Sequence, residues 1–302
     1  MKLSTGNASV RRTVLVTGAS SGIGRETALQ LARQGHRLAL LARRPDELAR
    51  TTRECCRAGA DDARAITTDV ADRLAVDDAF ETAAQALGPV DSVIHAAGIA
   101  AYGRFEDVPP EVFDRVHQVN VIGTANVART ALHHFDRHDL IGNLVLFGSV
   151  VGRISTPHLS PYVSSKWAVH GLARTLQAEQ TPGGHRVSLV EPGGVETSIY
   201  EKAASYLGVQ GKPPPPVYDA TTVARATVAL LEHPHRERSV GALNPVMSLG
   251  FRMLPAVYDR IVGPLMSRLA LDDQPVGNHP GNAFEPLPEP SGNVRPTTAE
   301  YV

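Results

Sequence analysis

Short apolar runs alternate with amphipathic stretches along most of the chain, and this alternation constrains the fold more than any other feature. Six runs have the length and composition of buried strands, at residues 13–18, 37–42, 64–68, 91–95, 143–148 and 186–190. Helical periodicity marks the stretches at residues 22–33, from Pro45 onward, 74–87, 110–135, 161–179 and 222–231. Because each helix returns the chain to the same end of the sheet, neighbouring strands pair in parallel. The alternation predicts one α/β domain over residues 1–245, a doubly wound parallel sheet of six or seven strands.

Three segments depart from this alternation. Residues 198–217, with four successive prolines at 213–216, are too long for an ordinary connection and follow the carboxyl end of a strand, so they predict a lid. Residues 246–271 predict a C-terminal extension of one or two amphipathic helices, broken near Pro255 and Pro264. This extension would pack on the body or across an oligomer interface, with peripheral contact to a membrane as the alternative. Residues 272–302 predict an extended or disordered tail.

The composition and the two cysteines indicate the class of protein and its compartment. Hydrophobic residues make up 42% of the 302 residues and charged residues 20%, as in ordinary soluble globular proteins. The net charge of -1 gives no reason to expect a nucleic acid partner. Cys55 and Cys56 are adjacent in a helical stretch and would not form a disulfide with each other. Together with an N-terminus that lacks an apolar signal core, this favours a cytoplasmic protein.

A glycine-rich turn joins the first predicted strand to the first helix. The sequence Thr-Gly-Ala-Ser-Ser-Gly-Ile-Gly occupies residues 17–24. Gly18 allows a tight turn, Gly22 lets the backbone approach a pyrophosphate, and Gly24 allows the helix to pack closely on the strand. Phosphates would lie at the helix N-terminus, where free N–H groups and the helix dipole attract anions. The turn predicts a dinucleotide site.

The end of the second strand indicates which dinucleotide binds. NAD sites carry a carboxylate there for the ribose 2′-hydroxyl, whereas arginine there accommodates the 2′-phosphate of NADP. This chain has Arg43 and Arg44 at that position and no acidic residue. Guanidinium groups bind phosphate through charge-assisted hydrogen bonds. NADP(H) is therefore the predicted cofactor, with NAD(H) as the alternative.

Tyr162, Lys166 and Ser149 form the candidate catalytic group. Tyr162 and Lys166 are four residues apart in a helical stretch and share a face, and Ser149 ends the preceding strand. An isolated tyrosine titrates near 10, and a neighbouring ammonium would lower that value. Tyr162 could then exchange a proton with a substrate oxygen that Ser149 holds by a hydrogen bond.

With these motifs the sequence resembles the short-chain dehydrogenase/reductase family over residues 13–243. The resemblance implies a Rossmann fold, a homodimer or homotetramer, and a small-molecule carbonyl or alcohol as substrate. It implies that Asn120 joins Ser149, Tyr162 and Lys166 by holding a water in a proton relay. Further residues implied to bind the cofactor, besides those named above, are Ser20, Ser21, Ile23, Asp69, Val70, Ala97, Gly98, Pro192, Gly193, Val195 and Thr197. Asp69 and Val70 would contact the adenine, and Thr197 the nicotinamide carboxamide.

The histidines add one departure from the family pattern. His95 stands where the family usually has asparagine, and a hydrogen-bonded structural role is favoured over a catalytic one. His134 and His138 have the spacing of metal ligands, but the sequence offers no third ligand, so no metal site is predicted. His158 would either face the substrate or lie in solvent.

Two other functions share parts of this pattern. A nucleotide-sugar epimerase is disfavoured because the chain lacks a large substrate domain, and a silent NADP(H) sensor because Tyr162 and Lys166 are both present. The substrate itself would be fairly apolar. This prediction rests on the candidate pocket residues Tyr102, Phe105, Ile154, His158, Ile199 and Tyr200.

Overall fold

The computed structural model describes residues 11–180 and 184–287, and within these ranges seven strands form one parallel sheet. The strands are β1 (Thr13–Thr17), β2 (Arg37–Ala42), β3 (Asp62–Thr67), β4 (Ser92–His95), β5 (Asn143–Phe147), β6 (Arg186–Pro192) and β7 (Glu237–Val240). Their order across the sheet is β7-β6-β5-β4-β1-β2-β3. This order reverses between β1 and β4, and ligands bind in the crevice beyond the carboxyl ends of such neighbouring strands. The doubly wound parallel sheet is the predicted fold.

Helices cover both faces of this sheet. They are α1 (Gly22–Arg33), α2 (Pro45–Ala58), α3 (Arg73–Leu87), α4 (Pro110–His117), α5 (Gly123–Arg137), α6 (Ser160–Glu179), α7 (Ile199–Lys202), α8 (Ala220–Glu232), α9 (Asn244–Met253) and α10 (Pro255–Leu269). Local signals set several of their ends. Pro45 begins α2, Gly59 follows it in a left-handed conformation, and the Asp72 side chain caps α3 by accepting from two backbone N–H groups.

Alternate residues along the strands enter two separate hydrophobic clusters. Val14, Val16 and Leu40 belong to the cluster covered by α1, α2 and α8, whereas Leu15 and Leu41 belong to the cluster covered by α3, α5 and α6. Both sets are fully buried. The central strands therefore have no face in water, which explains why they are continuous apolar runs.

The stretch predicted as one helix over residues 110–135 is interrupted. A wider, π-helical turn at Gln118–Ile122 separates α4 from α5. Asn120 lies in this turn, and its side chain pairs with both the N–H and the C=O of Ile99. Such turns are frequent at functional sites because they place a side chain that regular helical geometry would direct elsewhere.

The seventh strand, β7, has no counterpart among the six predicted runs. It lies at the edge of the sheet beside β6, and its sequence is Glu-Arg-Ser-Val. An edge strand faces water on one side, so it needs no continuous apolar run. Its partly exposed residues explain why periodicity alone did not indicate it.

The segments beyond the predicted domain fold back on its carboxyl edge. The predicted break at Pro255 coincides with the start of α10, but the predicted break at Pro264 is wrong, since α10 continues through it. Proline there removes one N–H from the helix, a local loss that α10 tolerates. Strand Leu271–Pro275 pairs antiparallel with Val209–Gly211 of the predicted lid. Residues 288–302 of the predicted tail lie outside the described residues. Among those described, no helix is both long and apolar enough to cross a bilayer.

Candidate active site

A groove runs along the carboxyl ends of β1, β2 and β3. The loop after β1 forms its centre, and α1 begins at Gly22, so the first amides of this helix border the groove. The predicted cofactor-binding residues that line it are Gly18, Ser20, Ser21, Gly22, Ile23, Gly24, Arg43, Arg44, Asp69, Val70, Ala97, Gly98 and Thr197. Predicted cofactor-binding residues as far apart in the sequence as Gly18 and Thr197 thus line one groove.

Two glycines of the turn are required by close contacts. Gly18 has φ +67, and a Cβ there would lie 2.8 Å from the backbone nitrogen of Ala97. A Cβ on Gly24 would lie 2.3 Å from the carbonyl oxygen of Gly18. Any side chain at these positions would push the turn away from the sheet or α1 away from the turn. The groove therefore depends on these glycines for its shape.

The arginines and Asp69 lie at the end of the groove next to β2 and β3. Arg44 forms an ion pair with Glu47, and its Nη1 is buried without a hydrogen-bond partner among the described residues. Asp69 accepts from the N–H of Ala71 at 3.0 Å and pairs closely with Arg115. Burial opposes ionisation of Asp69, but these hydrogen bonds outweigh it and hold its pKa below the usual range. An unpartnered guanidinium N–H at this position fits an anionic group such as a phosphate.

A cavity of about 440 Å³ adjoins the groove on the side of β5 and β6. Ile23, Gly98 and Thr197 line both spaces, so the two are continuous. The predicted residues on the cavity side are Ser149, Tyr162, Lys166, Pro192, Gly193, Val195 and Thr197. Gly22 of the glycine loop and Tyr162, which are 140 residues apart in the chain, therefore border one continuous space.

Ser149 and Tyr162 line the cavity together, and the Ser149 hydroxyl is close enough to the phenol to favour its ionised form. Burial raises the pKa of Tyr162 above its ordinary range, and nearby Tyr200 contributes to the rise, whereas the neighbouring Ser149 hydroxyl opposes it. Lys166 lies one turn along α6, with its Nζ 5.5 Å from the centre of the Tyr162 ring. Burial lowers the pKa of Lys166 to about 8, so its ammonium form predominates at neutral pH. Two hydroxyls and an ammonium therefore lie together beside the cavity.

Asn120 lies behind this group and lines neither space. Its Nδ2 donates to the carbonyl oxygen of Ile99 and to Oγ of Ser165, both at 2.9 Å, and its Oδ1 accepts from the N–H of Ile99 at 2.9 Å. A Cβ on Gly98 would lie 3.4 Å from Oδ1 of Asn120 and 3.8 Å from Nζ of Lys166. Asn120 therefore fixes the segment that separates the groove from Lys166.

His95 is 2% exposed and both of its ring nitrogens are hydrogen-bonded. Nδ1 pairs with the hydroxyl of Thr17 at 2.9 Å and Nε2 with that of Thr124 at 3.0 Å. Burial, together with the smaller effect of the Lys166 charge, lowers the pKa of His95 to about 3, so the ring is neutral. His95 joins β1 and β4 to α5 and does not line the cavity, as expected for a structural histidine.

Two of the candidate pocket residues lie elsewhere. Tyr102, Ile154, Ile199 and Tyr200 line the cavity, but Phe105 and His158 do not. Phe105 is 69% exposed, and its ring packs edge-on against Phe113 on the outer surface. The side chain of His158 does not line the cavity, and its carbonyl oxygen accepts from the N–H of Gly103. Loop position alone could not show which side of the loop each side chain would take.

Periodicity did not indicate the far walls of the site. Helices α9 and α10 form one side of the cavity through Val246, Leu254, Val257, Ile261, Leu265 and Met266. At the other end, Asn282, Pro286 and Leu287 border the groove. Their Pro-, Gly- and Asn-rich stretch is typical of a solvent-exposed tail. Within residues 11–180 and 184–287 no cluster of three or more metal-ligating side chains occurs.

Comparison with known proteins agrees with this geometry. A family model described as short chain dehydrogenase matches residues 12–207. The uncharacterized oxidoreductase YxnA of Bacillus subtilis strain 168 is 31% identical over 258 residues, which cover 84% of this chain and 72% of that protein. The tetrahydroxynaphthalene reductase of Pyricularia oryzae is 33% identical over 190 residues, covering 63% of this chain and 66% of that enzyme.

Two solved structures share the fold. An alcohol dehydrogenase from Thermococcus sibiricus, complexed with 5-hydroxy-NADP, has a TM-score of 0.66 at 28% identity and covers 76% of this chain and 95% of its own. A short-chain dehydrogenase/reductase from Burkholderia phymatum, in complex with NAD, has a TM-score of 0.71 at 24% identity and covers 84% and 96%. The chain belongs to the short-chain dehydrogenase/reductase family of oxidoreductases.

Proposed function

We propose that this protein transfers a hydride between NADP(H) and a carbonyl or alcohol group of an apolar small molecule, with Tyr162 as general acid and base. The observation that carries the proposal is that the hydroxyls of Ser149 and Tyr162 lie together with Lys166 at a cavity continuous with the glycine-lined groove. A dinucleotide along the groove would direct its reactive end toward these two hydroxyls. Bound nicotinamide supplies or accepts the hydride, and side chains of this protein hold the substrate and exchange the proton.

Each side chain of the group has a separate role. In reduction, Ser149 holds the substrate oxygen by a hydrogen bond, and Tyr162 donates its proton to that oxygen as the carbon becomes an alcohol. The reverse reaction returns the proton to Tyr162. The ammonium of Lys166 stabilises the phenolate that forms on Tyr162 during reduction, since an opposite charge within about 6 Å favours the ionised form. Asn120 holds the backbone against which Lys166 packs.

The positively charged side chains at the adenosine end of the groove support NADP(H) as the cofactor. Arg43 and Arg44 both border it, and the chain places no carboxylate at the end of β2, which reads Leu-Leu-Ala before the two arginines. The unpartnered Nη1 of Arg44 would find an acceptor in a 2′-phosphate. NAD(H) has a neutral hydroxyl there, which would accept only a weaker hydrogen bond from this donor than the charged phosphate does.

The walls of the cavity support an apolar substrate. Aliphatic side chains of α10, Val257, Ile261 and Leu265, repeat every four residues and so form one row along the cavity. Ile261 is 55% exposed, although it points into the space that a substrate would occupy. An apolar ligand would remove this row from water and gain affinity in proportion to the area buried.

The experiment compares wild type with Tyr162→Phe over a panel of ketones and aldehydes of increasing apolar size, following the absorbance of NADPH and then NADH. We expect wild type to oxidise NADPH and the variant to lose at least about a hundredfold in kcat while retaining NADPH binding. Tyr206→Phe is the matched control, because Tyr206 lines neither the groove nor the cavity. Equal turnover in Tyr162→Phe would refute the acid/base role. Tight NADPH binding by a wild type that reduces nothing would favour the silent sensor.

A further inference from the structure

The C-terminal segment of the described chain ends at the cofactor groove. After strand Leu271–Pro275, His279 and Ser205 exchange two backbone hydrogen bonds, each of 3.0 Å. Ala283 is 1% exposed and belongs to the same hydrophobic cluster as Leu15 and Leu41 of the sheet. Residues 279–284 are thus anchored on the body by both backbone pairing and burial.

Gly281 sets the path of this segment. It has φ +53, and a Cβ there would lie 2.4 Å from the carbonyl oxygen of Lys202 and 2.5 Å from backbone atoms of Ala203 and Ala204. The N–H of Asn282 donates to the same Lys202 oxygen at 2.8 Å. Only glycine allows the chain to pass so close to the end of α7.

Arg43, which borders the groove, and Arg115 of α4 hold the next three residues by their carbonyl groups. The guanidinium of Arg43 donates to the carbonyl oxygens of Asn282 at 2.7 Å, Ala283 at 3.2 Å and Phe284 at 3.4 Å. Nε of Arg115 donates to the oxygen of Ala283 at 3.0 Å, while its other end pairs with Asp69. The orientation of Arg43 therefore depends on the presence of this segment.

The same segment offers polar atoms to the groove. Asn282 lines it beside Arg44, and its Oδ1 is buried without a hydrogen-bond partner among the described residues. Pro286 and Leu287 border the groove with apolar surface. An amide oxygen suits an exocyclic amino group or a ribose hydroxyl, and apolar side chains suit the face of a base.

We propose that residues 281–287 form part of the cofactor site. This segment closes the adenosine end of the site, fixes Arg43 and binds the adenosine through Asn282. The inference rests on the proposed use of NADP(H). It assigns cofactor-binding residues to a segment outside the part of the chain that the family model matches, residues 12–207.

The first test measures binding at this end alone. The probe is adenosine 2′,5′-bisphosphate, which lacks the nicotinamide, and its Kd is measured by calorimetry alongside the Kd of NADPH. We expect Asn282→Ala and Gly281→Val to raise both constants roughly tenfold, because hydrogen bonds to the adenosine are lost. Gly277→Val is the control, since a Cβ at Gly277 meets nothing within 4 Å. Wild-type affinity in both Asn282→Ala and Gly281→Val would overturn the inference, and so would tighter binding.

A second test uses the wild-type protein and does not depend on a variant that folds. If the segment binds the adenosine, then saturating adenosine 2′,5′-bisphosphate must slow hydrogen exchange at the amides of residues 281–285 and 287. Unchanged exchange there, at a probe concentration that fills the groove, would overturn the inference. The proposed function fails separately, since it requires NADPH oxidation by wild type and its loss in Tyr162→Phe.

Discussion

The ammonium of Lys166 lies 5.5 Å from the centre of the Tyr162 ring and donates a hydrogen bond of 2.9 Å to the carbonyl oxygen of Phe147. Phe147 ends β5, so this hydrogen bond ties the Lys166 charge to the sheet. Burial raises the pKa of Tyr162, and a positive charge nearby acts in the opposite direction. The proposed acid/base role depends on this balance.

Removing the charge of Lys166 should shift the pH profile of alcohol oxidation. Oxidation needs the Tyr162 phenolate, and without a neighbouring ammonium the pKa of Tyr162 rises further, so the rising limb of kcat/KM moves to higher pH. We expect Lys166→Ala to lose roughly a hundredfold in kcat/KM at pH 7. Lys166→Arg keeps a positive charge and should keep the limb near its wild-type position. A limb that stays in place in Lys166→Ala would show that this charge does not tune Tyr162.

The two arginines at the end of β2 should affect cofactor choice differently. Arg44 has an unpartnered Nη1, so Arg44→Ala should reduce the preference for NADPH over NADH about tenfold or more, the value of a charge-assisted hydrogen bond. Arg43 is held by backbone carbonyls of residues 282–284, so Arg43→Ala should weaken the binding of both cofactors. The measurement is the Kd of each cofactor by fluorescence titration, with the exposed Arg50→Ala as control. Equal loss of both cofactors in Arg44→Ala would contradict the 2′-phosphate assignment.

His95 should make folding stability depend on pH. Its pKa falls from 6.5 to about 3 on folding, so between these values the unfolded chain binds a proton that the folded protein does not. The free energy of unfolding must therefore fall as the pH falls below 6.5, by about 2 kcal/mol between pH 7 and pH 5.

Urea unfolding of His95→Asn measures this contribution. The variant has no group that titrates in this window at position 95, so its stability should fall about 2 kcal/mol less than that of wild type between pH 7 and pH 5. His133→Asn, which replaces an exposed histidine, should keep the wild-type pH dependence. Parallel curves for wild type and His95→Asn would mean that the pKa of His95 does not change on folding.

The sequence predicted those parts of the fold that local pattern determines. The apolar run of β1 and the glycine turn after it are local signals, and the structure places both as expected. The π-helical turn at Asn120 arises from contacts with Ile99, and β7 from its position at the sheet edge. Neither can be derived from the residues of the segment itself, because distant parts of the chain determine them.

The site likewise contains residues that sequence spacing could group and residues that it could not. Ser149, Tyr162 and Lys166 could be grouped from spacing, since a helix face and a strand end bring them together. The role of Arg43 could not, because its carbonyl partners lie about 240 residues away in a stretch typical of a tail. Phe105 and His158 were assigned to the pocket by their loops, and only the side-chain directions exclude them.

The row on α10 should select for apolar substrate size. Ile261 lies in the cavity, whereas Met253, at the end of α9, is 69% exposed and lines no part of it. A ketone long enough to reach α10 would bury the Ile261 side chain, which contributes about 1–2 kcal/mol to its binding. Ile261→Ser should therefore raise KM for long-chain ketones roughly tenfold and leave KM for the shortest ones unchanged. Met253→Ser removes a similar apolar side chain outside the cavity and should alter neither. If Ile261→Ser raised KM equally for every ketone, α10 would be a support for the site and not a part of its substrate-binding surface.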